Sequence, residues 1–176
     1  PVGKVARGWG FYRGAGIGEW GVTDQEAHGG QHAIYLRFID WMTDADGQDQ
    51  ASMALSIGES NGYHPDHAMK VDPGASYRFA FWLKGDISFV YVQLMVWDAE
   101  GRRDGFHPRR MRRNGVGLPT RSIHPDPEKW NRISGEFTVP EGVRKAVIRI
   151  YLINPVLLHP GQTLYLDDAE VWQIES

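Results

Sequence analysis

Four residues carry the chemistry most open to interpretation. Tyr91 and Gln93 lie in YVQLMVW, and Arg149 and Tyr151 lie in AVIRIYLIN. In the first run Val90, Val92, Leu94 and Val96 alternate with Phe89, Tyr91, Gln93, Met95 and Trp97; in the second Ile148, Ile150 and Leu152 alternate with Val147, Arg149 and Tyr151. Period-two alternation marks strands with one aliphatic, core-facing side, which sends the tyrosines, glutamine and arginine to the other side. Flat aromatic rings suit the apolar C–H faces of a sugar, and guanidinium and amide groups suit its hydroxyl edges. The same residues would also serve simply to cover a solvated sheet.

Other candidates for chemistry are weaker. The seven histidines show no His-Glu-x-x-His or similarly spaced metal set, and Gly-x-Ser-x-Gly is missing. Asp44, Asp46 and Asp49 in DADGQD resemble part of an EF-hand loop but lack the twelfth-position glutamate, so an acidic surface turn is expected. Arg102, Arg103, Arg109, Arg110, Arg112 and Arg113 cluster around the single acid Asp104. Guanidinium groups bind carboxylates and sulfates bidentately, which leaves an acidic glycan open beside a plain solvated loop or one docking a neighbouring domain. Trp20, flanked by glycine-containing loop sequence, is a further stacking candidate or equally a core anchor.

The elements that would hold these residues are short strands. Tyr77, Phe79, Phe81 and Leu83 alternate with Arg78, Ala80, Trp82 and Lys84, and a turn at Gly85–Asp86 leads into the Tyr91 run. Further strands are expected at 9–13, 20–22, 32–38, 52–57, 130–139, 146–154 and 163–174. Long loops are expected at 40–50, 58–70 and 98–129. Convincing 3.6-residue periodicity is missing, and 21 glycines and 10 prolines punctuate the chain. The expectation is an all-β fold of eight or nine strands in two antiparallel sheets packed face to face, with long loops.

The 176 residues suffice for one domain spanning 1–176 with a full core. The abrupt start at Pro1 reads as a module of a longer protein. A net charge of −3 argues against a general nucleic-acid binder. Without cysteine there is no disulfide framework and no thiolate metal site. Apolar runs fall well short of the ~20 residues of a membrane helix, so no membrane partner is expected.

The ordered set AHGGQHAIYLRF, VDPGASYRFAFWLKGD, VQLMVWDAEG, EKWNRISGEFTVPEGVRKAVIRIYL and GQTLYLDDAEV resembles the jelly-roll carbohydrate-binding modules of families 4, 16 and 22 over roughly 27–172. The resemblance implies a noncatalytic, secreted module that binds a polysaccharide or oligosaccharide and is covalently linked to a glycan-degrading catalytic domain. It implies that the strands of Tyr91, Gln93, Arg149 and Tyr151 share a concave sheet, with Arg13 and Trp41 at further binding positions. It also implies a structural Ca²⁺ on Asp167 and on backbone carbonyls of the His28–Gln31 turn, Gly29 and Gln31 among them. Alternation places Asp167 on the side of Tyr165, Ala169 and Val171; if that side is core, the carboxylate needs a cation or several donors. Backbone amides or a buried arginine would serve as well as calcium. Departures from the family pattern are the missing Asn-x-x-Phe-Glu strand, the long 40–70 and 98–129 loops and the arginine run. A jelly-roll polysaccharide lyase is the rival reading, short of a strand histidine beside Tyr, Arg and Gln. A sandwich that merely braces a catalytic domain is the third.

Overall fold

The computed structural model describes residues 8–58, 66, 68–102, 123–153 and 158–175. His64, His67, His107 and the arginines from Arg103 to Arg113 lie outside the described residues.

Twelve strands are formed among the described residues: β1 (Trp9–Ala15), β2 (Ile17–Thr23), β3 (Ala33–Asp40), β4 (Met42–Thr43), β5 (Asp49–Gln50), β6 (Ser52–Ile57), β7 (Met69–Lys70), β8 (Ser76–Gly85), β9 (Tyr91–Asp98), β10 (Asn131–Thr138), β11 (Val143–Ile153) and β12 (Thr163–Gln173). The first sheet runs β1-β6-β11-β9, and β7 also borders β11, beyond the end of β6. The second runs β10-β8-β12-β3-β2. All pairings are antiparallel. From β7 onward the chain changes sheet at each step, so neighbours in sequence such as β8 and β9 lie in opposite layers. The Gly85–Asp86 turn is therefore a crossing between layers rather than a hairpin. No helix among the described residues is long and apolar enough to cross a membrane.

The layers meet through the aliphatic and aromatic sides that alternation singles out. Phe79, Phe81, Leu83, Leu36, Phe38, Leu164 and Leu166 of the second sheet join Leu55, Ile57, Val92, Leu94, Ile148 and Ile150 of the first in one buried cluster. Burying each such side chain contributes roughly 1.5–3 kcal/mol. The side of the sandwich where β1 and β2 form the two edges is closed by Phe11 and Trp20, whose rings stack with centroids 3.7 Å apart and planes 11° apart. Trp20 pairs in register with inward-facing Leu36. Of the two sequence readings, its packing supports the core anchor, with the ring partly buried against the core. The free edge of β9 is extended by a two-way backbone bridge between Val90 and Ile123 (2.8 and 2.9 Å).

The acidic 40–50 stretch is the β4–β5 hairpin. Asp44 Oδ1 accepts the amides of Asp46 (3.0 Å) and Gln48 (2.9 Å), and Oδ2 accepts from Gln50 Nε2 (3.1 Å). Its carboxyl is a turn organiser, as aspartates often are in tight turns.

Candidate functional site

The outward side of the first sheet is built by register. One row crosses the strands as Tyr12, Ala54, Tyr151 and Tyr91; the next crosses as Gly10, Ser56, Arg149 and Gln93. Tyr91, Gln93, Arg149 and Tyr151 thus emerge side by side, as alternation in the sequence requires. The small residues of β6 matter as much as the large ones. Ala54 and Ser56 form a low strip between Tyr12 and the pair Tyr151 and Arg149. Arg149 lays its side chain across this strip, and its guanidinium carbon lies 4.3 Å from the centroid of the Tyr12 ring. The contact is a cation–π pair.

Arg149 is only 4% exposed, and Ala54 and Ser56 are fully covered. The expectation of an arginine reaching into solvent is therefore corrected: Arg149 braces the tyrosine row from beneath. Tyr12 and Tyr151 have near-parallel rings, 21° apart, with centroids 6.0 Å apart. The hydroxyl of Tyr151 is hydrogen-bonded to Ser52 Oγ. Gly14 permits this packing, since a Cβ there would lie 2.6 Å from the Tyr12 hydroxyl and 3.0 Å from Ser52 Oγ. At the far end of the row Tyr91 meets Phe89 edge-on at 5.2 Å, and Phe89 meets His124 at 6.3 Å. Tyr12, Tyr91, Gln93 and Tyr151 all remain partly exposed.

Arg13 does not join this face. It pairs in register with inward-facing Met53, so it alternates away from Tyr12, and a bulge follows at once. On β1 it is Tyr12 that shares the outward side with Tyr151 and Tyr91. The signal was available: in Phe11-Tyr12-Arg13 the apolar ring marks the inward parity. Trp41 packs partly buried against the core, edge-on to Phe38 at 5.3 Å, at the entry to β4. The other end of the same outward side is closed. Trp97 and Val147 are fully buried there with Ala68, and Met95 packs against them.

Asp167 lies on the outer side of the second sheet. A bulge between Asp167 and Glu170, with Asp168 at φ 47°, resets the alternation. Leu164 and Leu166 face inward before it, and Ala169 and Val171 face inward after it. Asp167 Oδ2 accepts the amides of His28 (2.8 Å) and Gly29 (3.1 Å), and Oδ1 accepts the amide of Asp168 (2.8 Å). Beside it His28 Nδ1 lies 2.7 Å from Asp168 Oδ2, and the His28 ring stacks on Trp82 at 3.7 Å. A Cβ on Gly29 would come within 2.6 Å of Asp168 Oδ2. Backbone amides thus satisfy the Asp167 carboxylate, the alternative to calcium that the sequence left open. The three N–H groups occupy most of a carboxylate with about four acceptor positions. Gln31 is exposed in the turn. Among the described residues no group of three or more histidines and acids is placed to hold a metal ion.

No protein-family profile and no curated protein matches the sequence. Solved structures match in fold. The family 22 xylan-binding domain of Paenibacillus barcinonensis Xyn10C is 13% identical, with a TM-score of 0.57 covering 98% of this chain and 89% of that one. The enzymatically active domain of the bacteriophage CBA120 tailspike protein 4 is 14% identical with a TM-score of 0.54; 96% of this chain is covered but only 20% of that one. A family 4 carbohydrate-binding module is 13% identical with a TM-score of 0.50, covering 95% of each chain. The chain therefore has the fold of the family 22 and family 4 carbohydrate-binding modules, a two-sheet antiparallel β-sandwich.

Proposed function

We propose that the protein is a noncatalytic polysaccharide-binding module, whose binding surface is the tyrosine row Tyr12, Tyr151 and Tyr91 on the outer side of the first sheet. The observation that carries the reading is the register that brings three partly exposed tyrosines onto one face over a buried arginine brace. Successive rings along a row suit successive units of an extended chain. Gln93 lies one row away, where its amide can bond hydroxyl edges. Trp41 adds apolar surface at the hairpin end. Rings that are only partly exposed leave much of the ligand hydrated, so affinity is modest. The module serves a covalently linked, secreted glycan-degrading domain by holding it to its substrate. The similar xylan-binding domain makes a neutral plant polysaccharide the first ligand to try.

The test is affinity electrophoresis in gels containing xylan, mixed-linkage β-glucan or an acidic polysaccharide, together with an assay for released reducing ends and unsaturated products. Retardation by at least one polysaccharide without product, weakened about tenfold in Tyr151→Ala, is expected. Product release would replace the reading with a lyase or hydrolase. Full retardation of both Tyr151→Ala and Tyr91→Ala would remove the tyrosine row from the account. Raising salt weakens retention strongly only if the glycan is anionic.

A further inference from the structure

The second sheet carries a concavity of its own on its outer side, a cavity of about 280 Å³ lined by Thr23, Asp24, Gln25, Tyr35, Arg37 and Tyr165 among others. It arises from register. Tyr35 and Tyr165 are direct cross-strand partners, and Gly21, the partner of Tyr35 on the other side, contributes no side chain. The inward parity on these strands belongs to Ile34, Leu36, Leu164 and Leu166, so both tyrosines face outward, partly exposed.

The polar groups are already set. Arg37 Nε donates to Thr163 Oγ1 at 3.2 Å, and its Nη1 lies 3.8 Å from Glu19 Oε2. Burial, and then the charge of Glu19, hold the Tyr35 phenol above its ordinary value, and the phenol also hydrogen-bonds the Glu19 carboxylate. The rim is shaped by Thr23 Oγ1, which accepts the Gln25 amide at 3.1 Å, and by exposed Asp24 and Gln25.

The mixture of groups narrows the ligand. Two carboxylates, Glu19 nearby and Asp24 on the rim, oppose an anion, and the central guanidinium opposes a metal ion or an amine. Two tyrosine rings beside donors and acceptors of both kinds suit a ring with C–H faces and several hydroxyls. The volume falls at or just below the low end of the range of about 300–1,000 Å³ for small-molecule pockets, enough for one small ring rather than a chain.

We propose that this cavity is a second binding site, separate from the tyrosine row of the first sheet, and that it takes a single neutral pyranose unit. It does not depend on the first-sheet reading, because the two sites lie on opposite outer sides of the sandwich.

The test is a titration of the ¹⁵N-labelled protein with D-xylose, D-glucose, D-galactose and D-mannose, following the amides of Thr23, Asp24, Gln25, Tyr35 and Arg37. At least one sugar is expected to shift them with a dissociation constant on the order of millimolar. Asp24→Ala, in an exposed turn that leaves the fold intact, and Tyr165→Ala are each expected to weaken that response about tenfold. Tyr151→Ala is expected to leave it unchanged while weakening polysaccharide retention, so the two sites fail or hold separately. Absence of shifts at these amides with all four sugars, or shifts untouched by both Asp24→Ala and Tyr165→Ala, would overturn the proposal.

Discussion

The two outer sides of the sandwich obey the same alternation and end in opposite states. On the first sheet the strip of Ala54 and Ser56 lets Arg149 fold down over β6 onto Tyr12, and the arginine is lost from solvent. On the second sheet charged side chains pair across neighbouring strands, Arg78 with Glu136 and Arg37 with Glu19 at 3.8 Å, and Lys84 meets Glu26 of the loop before β3 at 2.8 Å. Facing outward is thus a matter of parity, whereas reaching water depends on the neighbours. Beside Ser56, Arg149 lies down over β6 and is buried, whereas Arg78 beside Glu136 and Arg37 beside Glu19 stay partly exposed and paired.

Arginine substitutions break or sharpen this contrast most strongly. Arg149→Ala removes a buried side chain together with its ring contact and is expected to cost about 2–4 kcal/mol in urea unfolding, with loss of glycan retention. Equal stability losses in Arg149→Ala and Arg78→Ala would break the comparison, because the half-exposed Arg78–Glu136 pair is worth only about 0.2–1 kcal/mol.

The anchor of the second sheet comes next. Asp167→Ala strands the amides of His28, Gly29 and Asp168 and is expected to cost about 2 kcal/mol in the same assay. Chelator is expected to leave the wild-type melting temperature unchanged. A clear drop on adding EDTA, restored by Ca²⁺, would show that the three amides are not what satisfies this carboxylate.

A smaller effect is expected at Gly14. A methyl group there must displace the Tyr12 hydroxyl, so Gly14→Ala is expected to weaken polysaccharide retention several-fold with little change in stability. Unchanged retention would mean that the position of Tyr12 is immaterial.

The smallest effect is at the β4–β5 hairpin. The hydrogen bond from the Gln48 amide, helped by those from the Asp46 amide and the Gln50 side chain, holds the Asp44 carboxyl below its ordinary value against an opposing desolvation cost. A depressed folded-state value means that its contribution is fully present above the unfolded carboxyl's value near 3.9 and fades as pH falls through the folded one. Amide exchange at Asp46 and Gln48 should therefore rise at acid pH in the wild type, beyond its intrinsic dependence, and stay level in Asp44→Asn.

Most of the fold was legible in the sequence because inward parity needs only alternation. Val90, Val92, Leu94 and Val96 are all buried, as are Ile148, Ile150 and Leu152. What alternation could not supply were the breaks in it. The bulge at Asp167–Asp168 turned an aspartate outward that simple counting sent inward; Arg13, by contrast, was put on the binding face by the resemblance, against the alternation of Phe11, Tyr12 and Arg13. The sequence reading put Tyr91, Gln93, Arg149 and Tyr151 on one face, as the register has them, and passed over Tyr12, Ala54 and Ser56 on that same face. Small residues carry no chemistry of their own, and their role appears only when cross-strand neighbours are known. Trp97 was expected on the open side with Tyr91; it has the right parity, yet Ala68 and Val147 close that end.

The central claim is that the tyrosine row, and not its neighbours in sequence, meets the glycan. Side-by-side binding isotherms of Tyr12→Ala and Arg13→Ala against a polysaccharide retained by the wild type test it most directly. A loss of about tenfold for Tyr12→Ala and no change for Arg13→Ala is the predicted result. The reverse order, or no loss in either, would contradict it.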